Sequence, residues 1–185
     1  MLLYGVKLVV LTELDEKTEL PATSSPKTVT IKTAETAGMD PVISEGTEDL
    51  KRSDDKILAI ARTPDLLYGY DITLKDNQFS PDVVGLVEGL TESSGSGDKT
   101  YSTPMLTDGF KGKNFKADIY CANYSGSSII NYAKITFNKC TGSPSGMSIG
   151  KEFFAPEFKI KAREATKASK PIKEITTVTT LPATS

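Results

Sequence analysis

Apolar and polar residues alternate along most of this chain with a period of two, the repeat that is typical of β-strands. The clearest example is residues 66–76, LLYGYDITLKD, in which every second residue from Leu66 to Leu74 is apolar. From Gly69 onward, the intervening positions are small, polar or charged. This pattern predicts a core strand with one apolar face.

Other stretches rich in alternating or β-branched residues predict further strands. They lie at residues 6–14, 28–35, 115–124, 129–140, 151–165 and 173–181, with a possible edge strand at 100–109. In the strand at 151–165, Phe154, Phe158 and Ile160 are expected to point inward, with Pro156 at a bulge or edge. Seven or eight strands with one helix indicate a mainly β fold, a β-sandwich or open barrel.

One short helix is predicted directly after residues 66–76. Ser80 is the expected N-cap, Pro81 the first helical residue and Asp82 an acid in the first turn. Gly89 is expected to end the helix. Its apolar stripe consists of Val83, Leu86, Val87 and Leu90. The spacing of this stripe predicts a helix that flanks the sheet with one buried face.

A long charged segment, residues 36–65, separates the second and third main strands. A connection of this length in a single domain is usually functional, although its KILAIA stretch at 56–61 also suggests a short strand or turn. We interpret residues 1–185 as one domain, with a core at 28–165, an assembly loop at 36–65, and a linker and C-terminal strand at 166–185. The residues expected to contact another subunit are Ile43, Glu45, Glu48, Asp49, Arg52, Asp54, Asp55, Ile57 and Ile60.

The composition argues against catalysis, because the chain has neither histidine nor tryptophan. Without histidine, imidazole acid-base catalysis, Ser-His or Cys-His nucleophiles and the commonest transition-metal ligand are excluded. Two facing carboxylates would still suit glycoside hydrolysis, although a tryptophan platform for a sugar ring is absent. The acids of residues 36–65 match no EF-hand spacing. We therefore expect no enzyme, no cofactor and no metal site.

The two cysteines are expected to be free thiols. If 115–124 and 129–140 form a hairpin turning at 125–128, Cys121 lies near Tyr132, and Cys140 lies about 25 Å further along the strand. That separation exceeds the reach of a disulfide.

Charge divides the chain into two halves. Residues 1–98 carry a net charge of −9 and residues 99–185 carry +7, within a total of −2. These halves either neutralise each other within one fold or bring the acidic surface of one copy to the basic surface of the next. The overall acidity disfavours tight nucleic-acid binding.

No apolar run approaches the roughly 20 residues that span a bilayer, and Lys7 interrupts the first apolar stretch. We therefore expect neither a membrane segment nor a secretory signal. Synthesis in a bacterial cytoplasm is the corresponding expectation.

In its order of elements, most of residues 28–180 resembles the phage major tail protein family, the subunits of tail tubes. Two stretches carry the resemblance: LLYGYDITLKDNQFSPDVVGLVEG, a strand that leads into a capped helix after the charged segment, and KEFFAPEFKIKARE. The resemblance implies a β-sandwich that forms stacked hexameric rings around a hollow conduit for DNA. Residues 36–65 would then be the loop that packs on the adjoining ring.

The same resemblance implies location in the virion tail and contacts with other tail proteins, namely the sheath or terminator and the tape measure. DNA would pass through without specific binding. The alternative is a monomeric β-sandwich that serves as a binding module, an adhesin or a capsid-decoration domain.

Overall fold

Twelve β-strands and one short α-helix make up the part of the chain that the computed structural model describes, residues 1–95, 98–105, 107, 109 and 111–183. In chain order they are β1 (Leu2–Glu13), β2 (Thr28–Ile31), β3 (Ala34–Ser44), β4 (Glu48–Ser53), β5 (Lys56–Arg62), β6 (Leu66–Asp76), α1 (Pro81–Val87), β7 (Thr91–Gly95), β8 (Asp98–Ser102), β9 (Asn114–Ser125), β10 (Ser128–Gly142), β11 (Glu157–Arg163) and β12 (Lys173–Val178). The prediction of a mainly β fold with one short helix is confirmed.

Eight strands form one antiparallel sheet in the order β2-β1-β9-β10-β11-β6-β3, with β12 paired to β10. The sheet branches at β10, because residues 132–137 pair with β12 whereas residues 139–142 pair with β11. Two separate pairs, β4-β5 and β7-β8, complete the strands. This arrangement is consistent with the predicted sandwich-like fold.

The core combines the inner face of the sheet with the buried side of α1. Phe115, Phe137 and Phe158 are its largest fully buried side chains. β1 adds Val9 and Leu11, neither of which has exposed surface. Burying such a side chain stabilises the fold by about 1.5–3 kcal/mol. β1 therefore forms part of the core, although it lies outside the core limits of 28–165 that the sequence predicts.

Helix α1 begins where the sequence predicts, but its N-cap residue, Ser80, does not cap it through its side chain. Ser80 has extended backbone angles (φ −124°, ψ 116°), and its side chain makes no capping hydrogen bond. Its carbonyl accepts the Val84 N–H at 3.1 Å. Gly89 follows the helix with φ +66°, the left-handed conformation that glycine adopts most readily. Leu86 and Val87 are fully buried, as the apolar stripe predicts. Leu90 is only half-buried, and Val84 and Gly85 outside the stripe are buried as well, so burial extends beyond the one predicted face.

The predicted hairpin of β9 and β10 is present, with its turn between Ser125 and Ser128. A register shift after Ile129 places Cys121 opposite Ala133 instead of Tyr132. Cys140 pairs with Phe115 much further along the hairpin, and both cysteines are free thiols. The prediction of two unpaired cysteines is confirmed.

Strands β6 and β11 are shorter in their buried parts than the alternation predicts. Ile72 and Leu74 of β6 are buried, whereas Leu66 is 65% exposed. In β11, Phe158 and Ile160 are buried as expected. Phe154 precedes the strand and is only half-buried. Burial therefore begins where β6 and β11 pair with each other.

Two segments predicted as loops contain strands. Residues 36–65 hold most of β3 and all of β4 and β5, so the expected assembly loop is an arm of β-structure. Residues 91–99, read from sequence as a flexible link, begin the β7-β8 hairpin. The possible edge strand at 100–109 is a strand in its first residues, where β8 ends at Ser102, and its residues 106 and 108 lie outside the described residues.

Candidate assembly surface

The candidate site lies on paired strands that extend beyond the core. The final residues of β3 pair with the first residues of β6, ending at Ser44 opposite Leu66. β4 and β5 follow as a hairpin between these two strands. We call residues 43–68 the β-arm. Every residue from 47 to 68 is exposed, so this whole part of the arm lies outside the packed interior.

Hydrogen bonds at its root fix the hairpin of the β-arm. The Thr47 N–H donates to Thr63 Oγ1 at 2.7 Å, and the Thr63 N–H donates to the Thr47 carbonyl at 3.0 Å. The Gly46 N–H donates to Asp65 Oδ1 at 2.8 Å. At the tip, Asp54 has φ +52°, a conformation that aspartate tolerates in turns. The turn and root therefore define the hairpin without any packing against the core.

The hairpin exposes large aliphatic side chains. Leu50 and Ile60 lie directly opposite each other on β4 and β5, at 44% and 59% exposure. Ile57 and Leu58 are exposed to a similar extent. An isolated two-stranded hairpin is at best marginally stable in water. In the single subunit these side chains therefore remain exposed.

The structure brings all the sequence-predicted contact residues onto the β-arm. One lies at the end of β3, one in the connection, three on β4, two in the turn and two on β5: Ile43, Glu45, Glu48, Asp49, Arg52, Asp54, Asp55, Ile57 and Ile60. Sequence reasoning missed five exposed apolar members: Leu50, Leu58, Leu66, Leu67 and Tyr68. Leu66, Leu67 and Tyr68 were assigned to a core strand, because strand parity does not show where that strand leaves the core.

The charges of the arm do not converge on a chemical site. Glu48 of β4 lies opposite Arg62 of β5, so opposite charges face each other across the hairpin and favour its pairing. Among the described residues, no group of three or more acids or cysteines is placed to hold a metal ion. The β-arm is a candidate surface for contact, with aliphatic side chains as its main feature.

Groups whose pKa values are shifted lie elsewhere and hold loops in place. Tyr101 of β8 donates a hydrogen bond to Asp82 of α1, and its ring covers the helix at Gly85, where an added Cβ would lie 2.5 Å from the ring. Burial, followed by the bond to Asp82, raises the pKa of Tyr101 to about 12. The same bond, with one from Lys99 at 3.0 Å, lowers the pKa of Asp82. These contacts fasten the β7-β8 hairpin over α1.

A second polar cluster lies on the outer face of the sheet, around a pocket of about 210 Å³. Asp118 accepts hydrogen bonds or ion pairs from Thr136 at 2.6 Å, Lys116 at 3.0 Å and Lys134 at 3.3 Å. Glu19, which is almost fully buried, accepts from Lys139 at 2.7 Å. Every buried polar side-chain atom that is described has a partner. The cluster therefore has the character of a structural anchor.

Unpaired sheet edges add to the exposed surface. In the described part of the chain, β2, β3 and β12 each pair with a neighbour on one side only. Ile175 on β12 is 65% exposed. Free edges present backbone donors and acceptors that another chain can pair with.

Searches for related proteins and for a membrane segment add no further assignment. No helix within the described ranges is long and apolar enough to cross a bilayer. No protein-family model matches the chain, and no curated protein is significantly similar to it in sequence.

Proposed function

We propose that this protein is the structural subunit of a phage or phage-like tail tube. Copies of the chain assemble into stacked hexameric rings that enclose a hollow conduit, through which DNA passes without specific binding. Its place is the tail of the virion, where the ends and interior of the tube contact other tail proteins, the sheath or terminator and the tape measure. The observation that carries this proposal is the β-arm, which projects from the core with its aliphatic side chains exposed.

The first support is energetic. Leu50, Ile57 and Ile60 of the β-arm are about half exposed on a hairpin that has little else to stabilise it. Removing apolar surface from water gains about 25 cal/mol per Å², so a second copy that covers the hairpin stabilises both the hairpin and the assembly. A surface loop without a partner would instead be expected to carry polar residues at these positions.

The second support is the pattern of sheet edges. β2 and β12 lie at free edges in different parts of the sheet. An unpaired edge is an aggregation risk unless another chain completes it in a defined way. Repetition of one such contact by a rotation that divides a full turn closes a ring, in which each subunit covers an edge of the next.

The third support is the charge distribution. The N-terminal residues 1–98 carry −9 and residues 99–185 carry +7. Contacts between different surfaces of identical subunits gain specificity when those surfaces have opposite charge. The same distribution gives a subunit whose net charge is close to zero, so that long-range repulsion between copies is weak.

Electron microscopy of the purified protein and of a hairpin-excision variant tests the proposal. Residues 48–62 are replaced by Asn-Gly, which leaves the Thr47 and Thr63 hydrogen bonds at the root and supplies a tight turn. We expect rings or tubes from the full chain and a folded monomer from the variant.

The matched control exchanges a cross-strand pair elsewhere in the same hairpin. Lys51→Ser with Ala59→Ser alters a pair that lies next to Leu50 and Ile60 in the ladder and removes little apolar surface. This control is expected to assemble normally, whereas Leu50→Ser with Ile60→Ser is expected to lower assembly. Persistent monomers of the full chain at all salt and protein concentrations would refute the proposal and favour a monomeric binding module.

A further inference from the structure

A second exposed apolar surface lies at one end of the main sheet. Residues 119–133, IYCANYSGSSIINYA, and residues 1–6, MLLYGV, contain no charged side chain, although a quarter of the whole chain is charged. We call these two segments together the uncharged pole. Ile119, Tyr120, Ala122, Asn123 and Ala133 are buried, and the exposed surface is formed by residues 1–5 and 125–130. An exposed apolar patch without charged side chains indicates a site of contact.

Strand pairing brings the two segments together. Leu2 lies opposite Tyr124, and Leu3 lies opposite Asn123. The Leu2 N–H donates to Asn123 Oδ1 at 2.8 Å, and the Asn123 side chain donates to Asn131 at 2.8 Å. Asn123 and Asn131 therefore have hydrogen-bond partners within the pole, whereas the side chains of Leu2, Leu3 and Tyr4 are exposed.

The outward-facing side chains are large. Leu2, Tyr4 and Ile130 are 70%, 72% and 59% exposed. Leu2, Leu3, Tyr4 and Tyr124 line an open apolar depression of about 390 Å³. The rings of Tyr4 and Tyr124 meet edge to face at 6.0 Å, which fixes one wall of the depression.

We propose that the β-arm of one copy docks on the uncharged pole of a neighbouring copy; this inference rests on the proposed self-assembly. The arm matches the pole chemically, because its hairpin presents Leu50 and Ile60 as an aliphatic pair. On the face that carries this pair, the neighbouring charges Glu48 and Arg62 lie opposite each other, whereas the pairs of Asp49 and of Lys51 alternate to the other face of the hairpin. A partner with unpaired charges would have to bury them against a surface that offers none in return. Together, the arm and the pole contain most of the large apolar side chains that are exposed in the described residues.

Strand direction places both surfaces at the same end of the sheet. β10 begins at the pole, and each following neighbour in the order β10-β11-β6-β3 runs antiparallel to the one before. β6 therefore begins, and β3 ends, on the side of the pole, and the arm extends from these two ends. Rotation about an axis parallel to the strands keeps this end of the sheet on the same side in every copy. The arm of each copy can then lie beside the pole of the next. That operation generates a closed ring.

Crosslinking between two single-cysteine variants tests this contact. Both are made in a Cys121→Ser background, in which Cys140 is fully buried; one carries Ile60→Cys on the arm and the other Tyr4→Cys on the pole. The two proteins differ in mass through a tag, are mixed under assembly conditions and are treated with a short bismaleimide. We expect a crosslinked species with one chain of each mass, and little product from either variant alone.

Each other outcome is informative. Products from arm to arm or from pole to pole, without mixed products, would overturn the inference. Rings or tubes that form with no crosslink between arm and pole would also overturn it, while leaving the proposed self-assembly intact. Failure of every variant and of the unmodified chain to assemble would overturn both.

Substitutions on the pole provide a second measurement. Leu3→Ser with Ile130→Ser should raise the protein concentration needed for assembly by at least about tenfold, because two side chains lose their burial. Ile149→Ser, at a position 80% exposed outside the pole, is the matched control and should change that concentration by less than about twofold. Equal effects of the two substitutions would contradict the inference. Circular dichroism of each monomer separates loss of contact from loss of fold.

Discussion

Among single residues, the two cysteines differ most clearly in their surroundings. Cys140 has no exposed surface, and burial raises the pKa of its thiol far above the usual value. Cys121 is half-buried, and burial raises its pKa as well. Because the thiolate is the reactive form, both react slowly in the folded subunit, and Cys140 reacts far more slowly than Cys121.

We predict that a maleimide at pH 8 labels only Cys121 in the native, unassembled subunit. Label on Cys140 should appear only after denaturant unfolds the chain, because the thiol is neither ionised nor accessible before that. Mass spectrometry of the digested protein measures both sites. A Cys121→Ser variant should remain unlabelled under native conditions, and labelling of Cys140 at a comparable rate would contradict the burial of β10.

Tyr101 provides a second prediction for a single residue. Its raised pKa of about 12 exceeds the value near 10 expected in the unfolded chain. Folding therefore favours the neutral phenol, and this contribution is fully present below about pH 10 and lost as the pH rises through 12. Tyr101→Phe removes the hydrogen bond to Asp82 and should cost about 1 kcal/mol of unfolding free energy at pH 7.

Urea unfolding at pH 7 measures the stability difference, and ultraviolet absorbance measures tyrosine ionisation. In the folded protein, Tyr101→Phe should remove a late component of the alkaline titration. Tyr132→Phe is the control, since its hydroxyl makes no hydrogen bond among the described residues. If Tyr101→Phe left both the stability and the titration unchanged, the contact between β8 and α1 would be wrong.

At the level of elements, the β4-β5 hairpin is expected to be the least stable strand pair. It is exposed throughout, and its cross-strand pairs have no third layer to pack against. Local opening should therefore cost little free energy, whereas β9 and β10 should open only with the whole core.

We predict that hydrogen exchange by mass spectrometry shows this contrast. In the unassembled subunit, amides of β4 and β5 should be protected by less than about tenfold, and those of β9 and β10 by orders of magnitude more. Assembly should raise protection in β4 and β5, because the covering surface removes their exposure. Strong protection of this hairpin in the monomer, or no gain on assembly, would mean that no partner covers it.

Strand periodicity predicts β6 well but does not predict where its burial starts. The alternation from Leu66 to Leu74 is the same along the strand, yet β11 pairs with β6 only as far as Tyr70. Beyond that residue, β6 has only β3 beside it. Leu66 and Tyr68 therefore continue the alternation but have no core residues to pack against, and both are exposed. Alternation reports a strand with one apolar face, and tertiary pairing decides what that face contacts.

The sequence drew attention to the segment of the β-arm but did not predict most of its strands. Length and charge drew attention to residues 36–65, and the structure places the candidate residues together on the arm. The KILAIA stretch suggested a strand and is β5, whereas β4 and the length of β3 were missed because Gly46, Pro41 and the dense charges resemble a loop. The β7-β8 hairpin was missed for a related reason. Its residues are mostly polar, and its position depends on Tyr101 packing over Gly85, a contact between residues that no local pattern reveals.

For the whole molecule, one buried carboxylate joins distant parts of the chain. Glu19 lies in the connection after β1, and its side chain accepts the Lys167 N–H at 3.0 Å across a separation of 148 residues. It also accepts Lys139 Nζ at 2.7 Å. The hydrogen bond from Lys139 is the main cause that lowers the pKa of Glu19. The two connections are therefore held on the outer face of the sheet by one ionised group.

We predict that Glu19→Gln destabilises the fold by about 2 kcal/mol at pH 7, since glutamine has no charge to pair with Lys139 and only one acceptor oxygen where Glu19 uses two. Because the folded pKa is lowered, the contribution of Glu19 is present above its ordinary pKa and is lost as the pH falls through the folded value. The difference between Glu19→Gln and the unmodified chain in urea unfolding should therefore shrink at acid pH. Glu16→Gln is the matched control, since the Glu16 side chain makes no hydrogen bond or ion pair with a described residue and only its backbone carbonyl accepts, from Lys167 Nζ. A stability difference independent of pH would show that packing, and not the charge of Glu19, holds these connections together.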